Sequence, residues 1–342
     1  MKNRIYSLVR PGEIEIIEDV INEEMDDIVV VRPTHLSICR ADQRYYQGMR
    51  APEVLAKKLP MALIHEGIGR VVLDKKGEFK EGEWVAMVPN TPTEYDDVIA
   101  ENYLRTSKFR ASGFDGFMQD YVAMGRDRLV RLPESIDKEV AAFTELASVA
   151  YHTIDRFDKT AHVRRNTIGV WGDGNIGFLV AVMLKYRYPE SKLVVLGIDE
   201  EKLGDFTFAD RTVHTGAIPE GFHVDHAFEC VGGMASGMVI NQIIDHINPE
   251  GTIAIMGVSE DPVPINTRMV LEKGLHIIGS SRCGVKDFEN LINFYVEHPD
   301  VVEEFKKIIG DVVAVSTVSD MVKAFELDKK RHNGKTVMVW EK

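Results

Sequence analysis

Long apolar runs are missing from this sequence: no stretch approaches the ~18 apolar residues that a membrane-spanning helix needs. The opening MKNRIYSLVRPGEIEIIEDV interleaves charges with short apolar runs and so lacks the apolar core of a signal peptide. A soluble, cytoplasmic protein is expected. Cysteine is scarce. Cys39, Cys230 and Cys283 lie far apart with no C-x-x-C pair, which indicates neither a disulfide framework nor a four-cysteine zinc knot. Basic tracts are absent too, and the formal net charge of -13 argues against nucleic acid or an anionic membrane as the main partner. A small anionic substrate would need a local cationic pocket. There is no internal repeat and no low-complexity linker.

What is present is organised around Thr167 to Gly177, TIGVWGDGNIG. A short apolar run breaks into three glycines and continues as the helix-like FLVAVMLKYRY, the pattern of a strand, a tight turn and a helix. Gly172, Gly174 and Gly177 have G-x-G-x-x-G spacing, and each glycine has its own physical reason. Gly172 permits the sharp turn, Gly174 lets the backbone approach a pyrophosphate, and Gly177 lets the helix pack closely on the strand. Backbone N–H groups at the helix start, around Asn175 and Ile176, would face the anion. The plainer reading is a glycine-rich turn without a ligand.

At 342 residues the chain is expected to form two domains. Before the glycine loop it reads as short strands, including IEIIEDV (14–20) and DIVVVRPTHLSIC (27–39), with a polar stretch from Asn90 to Gly116 and a helix over Asp137 to Thr153. After the loop, KLVVLGI, VDHAFECVG, GTIAIMGV and LHIIGSS alternate with amphipathic segments, which predicts a parallel sheet and an α/β class. The tail, FENLINFYVEHPDVVEEFKKIIG and VSDMVKAFELDKK, reads as helices before a last strand, KTVMVW.

A second group of chemically apt residues lies in the β-rich half: Cys39 in SICRAD, His65 and Glu66 in LIHEGIG, and Glu145 in FTELAS. Thiolate, imidazole and carboxylate suit zinc, and three protein ligands leave one position open for water or substrate. Individually, Cys39 could be a small buried hydrophobe, His65 a hydrogen-bonded core residue and Glu145 part of a solvated helix face. Spacing alone cannot join residues so far apart.

Cys39 with Asp42, then HEGIGRV, EGEWV, GFMQDYV, AAFTEL, WGDGNIG, DHAFECVGG and the closing GKTVMVW follow one another in an order that resembles the zinc-dependent medium-chain dehydrogenases. The resemblance implies a GroES-like β-barrel catalytic domain (1–153 and 290–342) and an inserted Rossmann domain (154–289), a doubly wound parallel sheet. It implies one catalytic zinc on Cys39, His65 and Glu145, with Glu66 a near or exchangeable ligand and Asp42 orienting a ligand histidine. Glu145 in place of a cysteine is similar to the polyol dehydrogenase branch. MVPNTPTEYDDVIAENYL, FDGFMQDYV and NTRMVLEKGL narrow the likeness to the ribulose-5-phosphate reductases of the CDP-ribitol pathway, which implies a sugar phosphate substrate and NADPH. A homo-oligomer and a complex with a ribitol-5-phosphate cytidylyltransferase belong to the same expectation. An NAD-linked dehydrogenase of an unphosphorylated polyol would share every zinc residue. A nucleotide-binding redox sensor without catalysis would not need the ligands retained.

The sequence departs from the family pattern in three places. Asn90 to Gly116 has no cysteines for a structural zinc, Ala41 replaces the hydroxyl residue that relays a proton in alcohol dehydrogenases, and Leu146 stands where a proline often follows the ligand glutamate. Water, Glu66 or a sugar hydroxyl would then carry the proton. Arg44, in ADQRYYQG with Tyr45 and Tyr46 beside it, is the candidate for the substrate phosphate; a solvated turn or a contact with the cofactor pyrophosphate are its alternatives. An NAD enzyme carries Asp or Glu about 20 residues past the glycine loop, facing the ribose 2′-hydroxyl. Counted back from Lys202 and Leu203 in KLVVLGIDEEKL, that position falls on Gly197, read as roomy and uncharged, so NADPH is expected. Asp199 would take the NAD role if the strand ran two residues further. With no arginine in GIDEE, Lys202 is the candidate cation for a 2′-phosphate.

Overall fold

The computed structural model describes residues 1–342 and divides into two compact units, Met1–Ser148 with Arg282–Lys342, and Val149–Ser281. The expected boundaries at 153/154 and 289/290 sit a few residues later in the chain. In chain order, the first unit begins with β1 (Lys2–Arg10), β2 (Glu13–Val20), β3 (Ile28–Ser37), α1 (Arg40–Tyr46), α2 (Pro52–Lys58), β4 (Met61–Ala62) and β5 (Glu66–Asp74). It continues through β6 (Trp84–Met87), β7 (Asn90–Thr91), β8 (Lys108–Phe109), β9 (Val122–Gly125), β10 (Leu129–Arg131) and α3 (Lys138–Ala141), and the unit boundary falls inside α4 (Thr144–Thr160). The expected single helix over Asp137–Thr153 is therefore two, with Asp137 capping the first by accepting the Glu139 and Val140 N–H groups.

The second unit runs β11 (Thr167–Trp171), α5 (Asn175–Arg187), β12 (Lys192–Gly197), α6 (Glu200–Gly204), β13 (Arg211–His214), β14 (His226–Glu229), α7 (Ser236–His246), β15 (Thr252–Ile255), α8 (Thr267–Lys273) and β16 (His276–Gly279). The return segment adds α9 (Val285–Glu297), α10 (Pro299–Lys306), β17 (Ile309–Val315), α11 (Val318–Lys330) and β18 (Lys335–Trp340) to the first unit. Six strands were not anticipated: the two-residue β4, β7 and β8, and β1, β13 and β17. β1 alternates charge and apolar residues within a polar opening, β13 is four residues long, and β17 follows directly on α10, where IIG continues an apolar helical pattern.

In the second unit the six strands are parallel in the order β13-β12-β11-β14-β15-β16. Sequential numbering along that order reverses at β11, so a crevice opens at the carboxyl ends of the strands, beside the glycine loop. Trp171, Leu196, Ala227 and Ile253 from these strands pack with Ile240, Ile243 and Ile244 of α7.

In the first unit, the main sheet has β3 between β5 and β18, both antiparallel to it. Ser37 pairs with Glu66 on one side and with Val337 on the other. The register brings the end of β3 to the start of β5 and the start of β18. Tyr6, Leu36, Phe117, Phe325 and Met338 fill the core behind them, all fully buried. No helix of the structure is long and apolar enough to cross a membrane.

Candidate metal centre and dinucleotide loop

The β3–β5 register is what joins Cys39 to His65. Cys39 caps the N-terminus of α1: its Sγ accepts the Ala41 N–H at 3.2 Å, while Asp42 Oδ2 accepts the Cys39 N–H at 3.1 Å. Such a reciprocal box fixes the thiol's direction. His65 Nε2 then lies 3.3 Å from Cys39 Sγ. Asp42, fully buried, lies 3.7 Å from His65 Nδ1 through Oδ1, and the same oxygen accepts the Ile64 N–H at 3.0 Å. One carboxylate thus ties together the two segments that supply the thiol and the imidazole.

Ile64 holds φ +72°, a conformation costly for a β-branched residue, immediately before His65. Its carbonyl accepts the Phe117 N–H at 2.7 Å, and a Cβ on Gly116 would lie 2.3 Å from that carbonyl oxygen. The strained turn is therefore clamped from both sides. The Phe109 ring packs edge-on against His65 at 5.1 Å between centroids.

Glu145, in the first turn of α4, completes the cluster. His65, Glu66 and Glu145 bring ligand atoms within 4.8 Å of one another, and so do Cys39, Asp42 and His65. All but Cys39 are buried. Zinc–sulfur and zinc–nitrogen bonds at tetrahedral angles place the two donor atoms about 3.5 Å apart, so the observed Sγ–Nε2 separation fits one ion. The donor set of thiol, imidazole and carboxylate fits zinc as well. Burial pushes the Cys39 thiol up, with Asp42 adding to it and His65 opposing. Burial also pushes the Glu145 carboxyl up to about 7. A bound cation would relieve both.

Glu66 is held by a residue that sequence reasoning missed. Lys335, at the start of β18, puts Nζ 2.8 Å from Oε1 and 2.7 Å from Oε2 of Glu66, with both side chains buried. Cys283 is a second such neighbour, its Sγ 3.7 Å from the Glu145 carbonyl oxygen. Arg282, at φ +59°, lays its guanidinium over Phe109 at 4.9 Å and has no carboxylate partner. For Cys283 and Arg282 the only available signal was their nearness to the chain's return into the first unit; Lys335 carried none.

The cysteine-free stretch from Asn90 to Gly116 is organised by arginines. Arg110, half-buried, donates to the carbonyls of Asp115 and Ala123, and Arg128 is paired with Glu101 at 2.7 Å. Arg44 lies half-buried on α1. Its neighbours are core residues rather than ligands to a substrate: Tyr46 stacks on Phe325 at 4.6 Å, and the Tyr45 hydroxyl accepts from Lys58 at 2.9 Å.

In the glycine loop, Gly172 has φ +130°. A Cβ on Gly174 would meet nothing within 4 Å, and one on Gly177 would sit 2.0 Å from the Gly172 carbonyl oxygen. The turn, the open approach and the close helix packing are each visible at one glycine. Asn175 and Ile176 form the first turn of α5, whose N–H groups have no carbonyl partners in a preceding turn.

The reading of Gly197 as roomy is overturned. β12 does end there, but a Cβ at 197 would lie 2.4 Å from Asp173 Oδ2 and 2.7 Å from Asp173 Cβ. Asp199 caps α6, accepting the Glu201 and Lys202 N–H groups at 3.1 Å each, and Lys202 lies half-buried in that helix.

Two family models cover this architecture: the alcohol dehydrogenase GroES-like domain matches residues 25–134 and the zinc-binding dehydrogenase model residues 184–297. The chain belongs to the zinc-binding dehydrogenases. As a member of that medium-chain family it is an oxidoreductase, with a GroES-like unit and a Rossmann-type unit. The dehydrogenase is 52% identical over 340 residues to ribulose-5-phosphate reductase 1 of Staphylococcus aureus, covering 99% of each chain. It is 43% identical over 344 residues to ribulose-5-phosphate reductase of Streptococcus pneumoniae, covering 100% of this chain and 98% of that one. Among solved structures, S. aureus TarJ in complex with NADPH matches with a TM-score of 0.90 at 46% identity over 100% of both chains.

Proposed function

We propose that this dehydrogenase reduces the C2 ketone of D-ribulose 5-phosphate to D-ribitol 5-phosphate, with NADPH as the hydride donor and one zinc ion held by Cys39, His65 and Glu145. The observation that carries this reading is the grouping of a half-buried thiol with a buried imidazole and buried carboxylates, in a chain about half identical over its whole length to ribulose-5-phosphate reductases. When bound, zinc supplies Lewis-acid polarisation of a carbonyl oxygen. The protein's own contribution is orientation. Asp42 directs His65 by standing at its Nδ1, and the α1 cap directs Cys39. Lys335 holds Glu66 beside the cluster, so that Glu66 is a near carboxylate rather than a fourth fixed donor. Phe109 covers the His65 ring.

The substrate phosphate requires cations in an acidic protein. Arg44 remains the proposal from the sequence, and Arg282, unpaired and stacked on Phe109, is a further candidate in the same unit. The glycine loop takes the dinucleotide pyrophosphate, with Gly174 giving the approach and the start of α5 the N–H groups. The product would supply CDP-ribitol for teichoic acid or capsule polymers, through a cytidylyltransferase partner, from a homo-oligomeric cytoplasmic enzyme.

The test is one assay. Purified protein with zinc is offered NADPH or NADH against ribulose 5-phosphate, ribulose, and sorbitol with NAD. Fast NADPH oxidation that depends on the substrate's terminal phosphate supports the proposal. Equal turnover of ribulose and its phosphate, or a preference for sorbitol with NAD, would replace it with the polyol reading.

A further inference from the structure

In a chain of net charge -13, the buried cations Arg128 and Lys335 are each paired with a carboxylate, Glu101 and Glu66. Lys58, the last residue of α2, is not. Half-buried, it donates to two neutral hydroxyls instead, Tyr45 Oη at 2.9 Å and Ser112 Oγ at 3.2 Å. An ammonium carries three donors, so one N–H of Lys58 has no acceptor in the protein. Ser112 accepts from Lys58 through its oxygen, which leaves its own hydroxyl proton to donate. Arg50, also half-buried, lays its guanidinium over the Tyr45 ring, with Cζ 5.0 Å from the centroid. Tyr45, only 2% exposed, is thus a platform on which two cations and a hydroxyl gather.

Two segments tie this group to the metal centre within the same unit. On α1, Tyr45 comes one helical turn after Ala41, so the two share a face, and Ala41 occupies the position of the missing hydroxyl relay. The other segment is the turn from Phe109 to Ser112. The Phe109 ring covers His65, its carbonyl accepts the Ser112 N–H at 3.2 Å, and Ser112 reaches Lys58. With about 1.5 Å of rise per residue, Tyr45 lies ~9 Å along α1 from Cys39. In ribulose 5-phosphate, five bonds separate C2 from phosphorus, about 6 Å when the chain is extended. A hydrogen bond of about 3 Å at its end spans the remainder.

We propose that Lys58, Arg50 and Ser112 form the site for the C5 phosphate of the substrate, a phosphate monoester. Lys58 gives the anion its third N–H, Ser112 its hydroxyl proton, and Arg50 a planar guanidinium suited to two parallel hydrogen bonds. Tyr45 is the support and not a ligand. Hydroxyl partners fix the ammonium's position without cancelling its charge, as a carboxylate would. A sugar without the phosphate leaves these donors unanswered, so the site selects the phosphorylated sugar over the free one. The proposal rests on the substrate reading above and names the residues that enforce it.

The experiment assays the zinc-loaded enzyme with NADPH against ribulose 5-phosphate and ribulose, for the wild type, Lys58→Gln, Lys58→Met, Lys58→Arg, Arg50→Gln, Arg44→Gln and Arg282→Gln. Gln keeps a donor for the two hydroxyls and Met keeps the stem, and thermal melting identifies any variant that fails to fold. Lys58→Gln, Lys58→Met and Arg50→Gln are each expected to raise KM for ribulose 5-phosphate about 10–100-fold, the scale of one hydrogen bond to a charged group. For the same variants, kcat/KM for ribulose and the NADPH dissociation constant from fluorescence stay at their wild-type values. Lys58→Arg keeps most of the preference for the phosphorylated sugar. A merely structural role would slow both sugars alike, and that outcome would overturn the proposal. So would folded Lys58 and Arg50 variants that keep the wild-type preference while Arg44→Gln or Arg282→Gln loses it. A wild-type enzyme that turns over ribulose as well as its phosphate would overturn the substrate reading itself, and this proposal with it.

Discussion

Replacing Lys335 with methionine would leave Glu66 as a buried carboxylate with no cation. The two groups meet at 2.7–2.8 Å, and their side chains are 3% and 0% exposed, so water cannot screen the loss. Burial alone would lower the Lys335 ammonium's pKa, but Glu66 foremost and Cys39 outweigh it, so the lysine stays charged. Removing one partner of such a pair costs about 3–5 kcal/mol, since the remaining charge keeps its desolvation penalty. That is a large share of a typical stability of about 5–15 kcal/mol. Replacing both, as Lys335→Met with Glu66→Leu, removes the penalty along with the attraction, and the double variant is expected within about 1–2 kcal/mol of wild type. Scanning calorimetry on zinc-free protein, completing the double-mutant cycle, measures the coupling. Zinc-loaded Lys335→Met should regain part of the loss, because the ion compensates the orphaned carboxylate. The reasoning fails if metal-free Lys335→Met melts like wild type, or if the double variant is as unstable as the sum of the two single variants.

Cys39→Ser should lose bound zinc and turnover together while NADPH binding is retained, since the glycine loop belongs to the other unit; metal analysis beside a fluorescence titration checks this. Glu145, raised from 4.5 to about 7 by burial, keeps a proton in the metal-free fold that the unfolded chain has lost. Metal-free stability should therefore fall as pH rises through that window, zinc uptake there should release a proton, and Glu145→Gln should abolish both effects in melting curves and calorimetry. His226 runs the other way. Burial foremost, with His162 adding, lowers it from 6.5 to about 4, and its Nδ1 accepts the Thr252 N–H at 3.1 Å. The unfolded chain binds the proton first, so stability should drop as pH falls from 6.5 toward about 4, a dependence that His226→Gln should flatten. Gly177→Ala would drive a Cβ to 2.0 Å from the Gly172 carbonyl oxygen. A cost of about 1–3 kcal/mol is expected from overpacking against backbone, with weakened NADPH binding in titration; unaltered melting and binding would contradict the close packing.

The glycine loop was legible in the sequence because its determinants are local. A positive φ at Gly172 and close backbone packing at Gly177 are demands of a single strand–turn–helix, and residue spacing reports them directly. The parallel sheet was legible for a similar reason: each of its long strands is an apolar run between helical periods. β13, four residues long, carries too few residues for a period to emerge, and β17 was hidden because IIG continues the apolar helical pattern before it. The proposed zinc ligands were named from the sequence by family resemblance, but what brings them together is tertiary. Cys39 and Glu145 each come within reach of His65 because Ser37 pairs with Glu66 across an antiparallel ladder and α4 starts beside it, and no spacing rule encodes a register between distant strands. Lys335 reaches Glu66 by the same ladder from β18, at a sequence separation of 269, so nothing near either residue announces the pair. Gly197 marks the limit most sharply. A missing side chain reads as space in a sequence, yet whether that space is empty depends on what folds against it, and here it is filled by Asp173, a carboxylate carried in by the glycine loop itself.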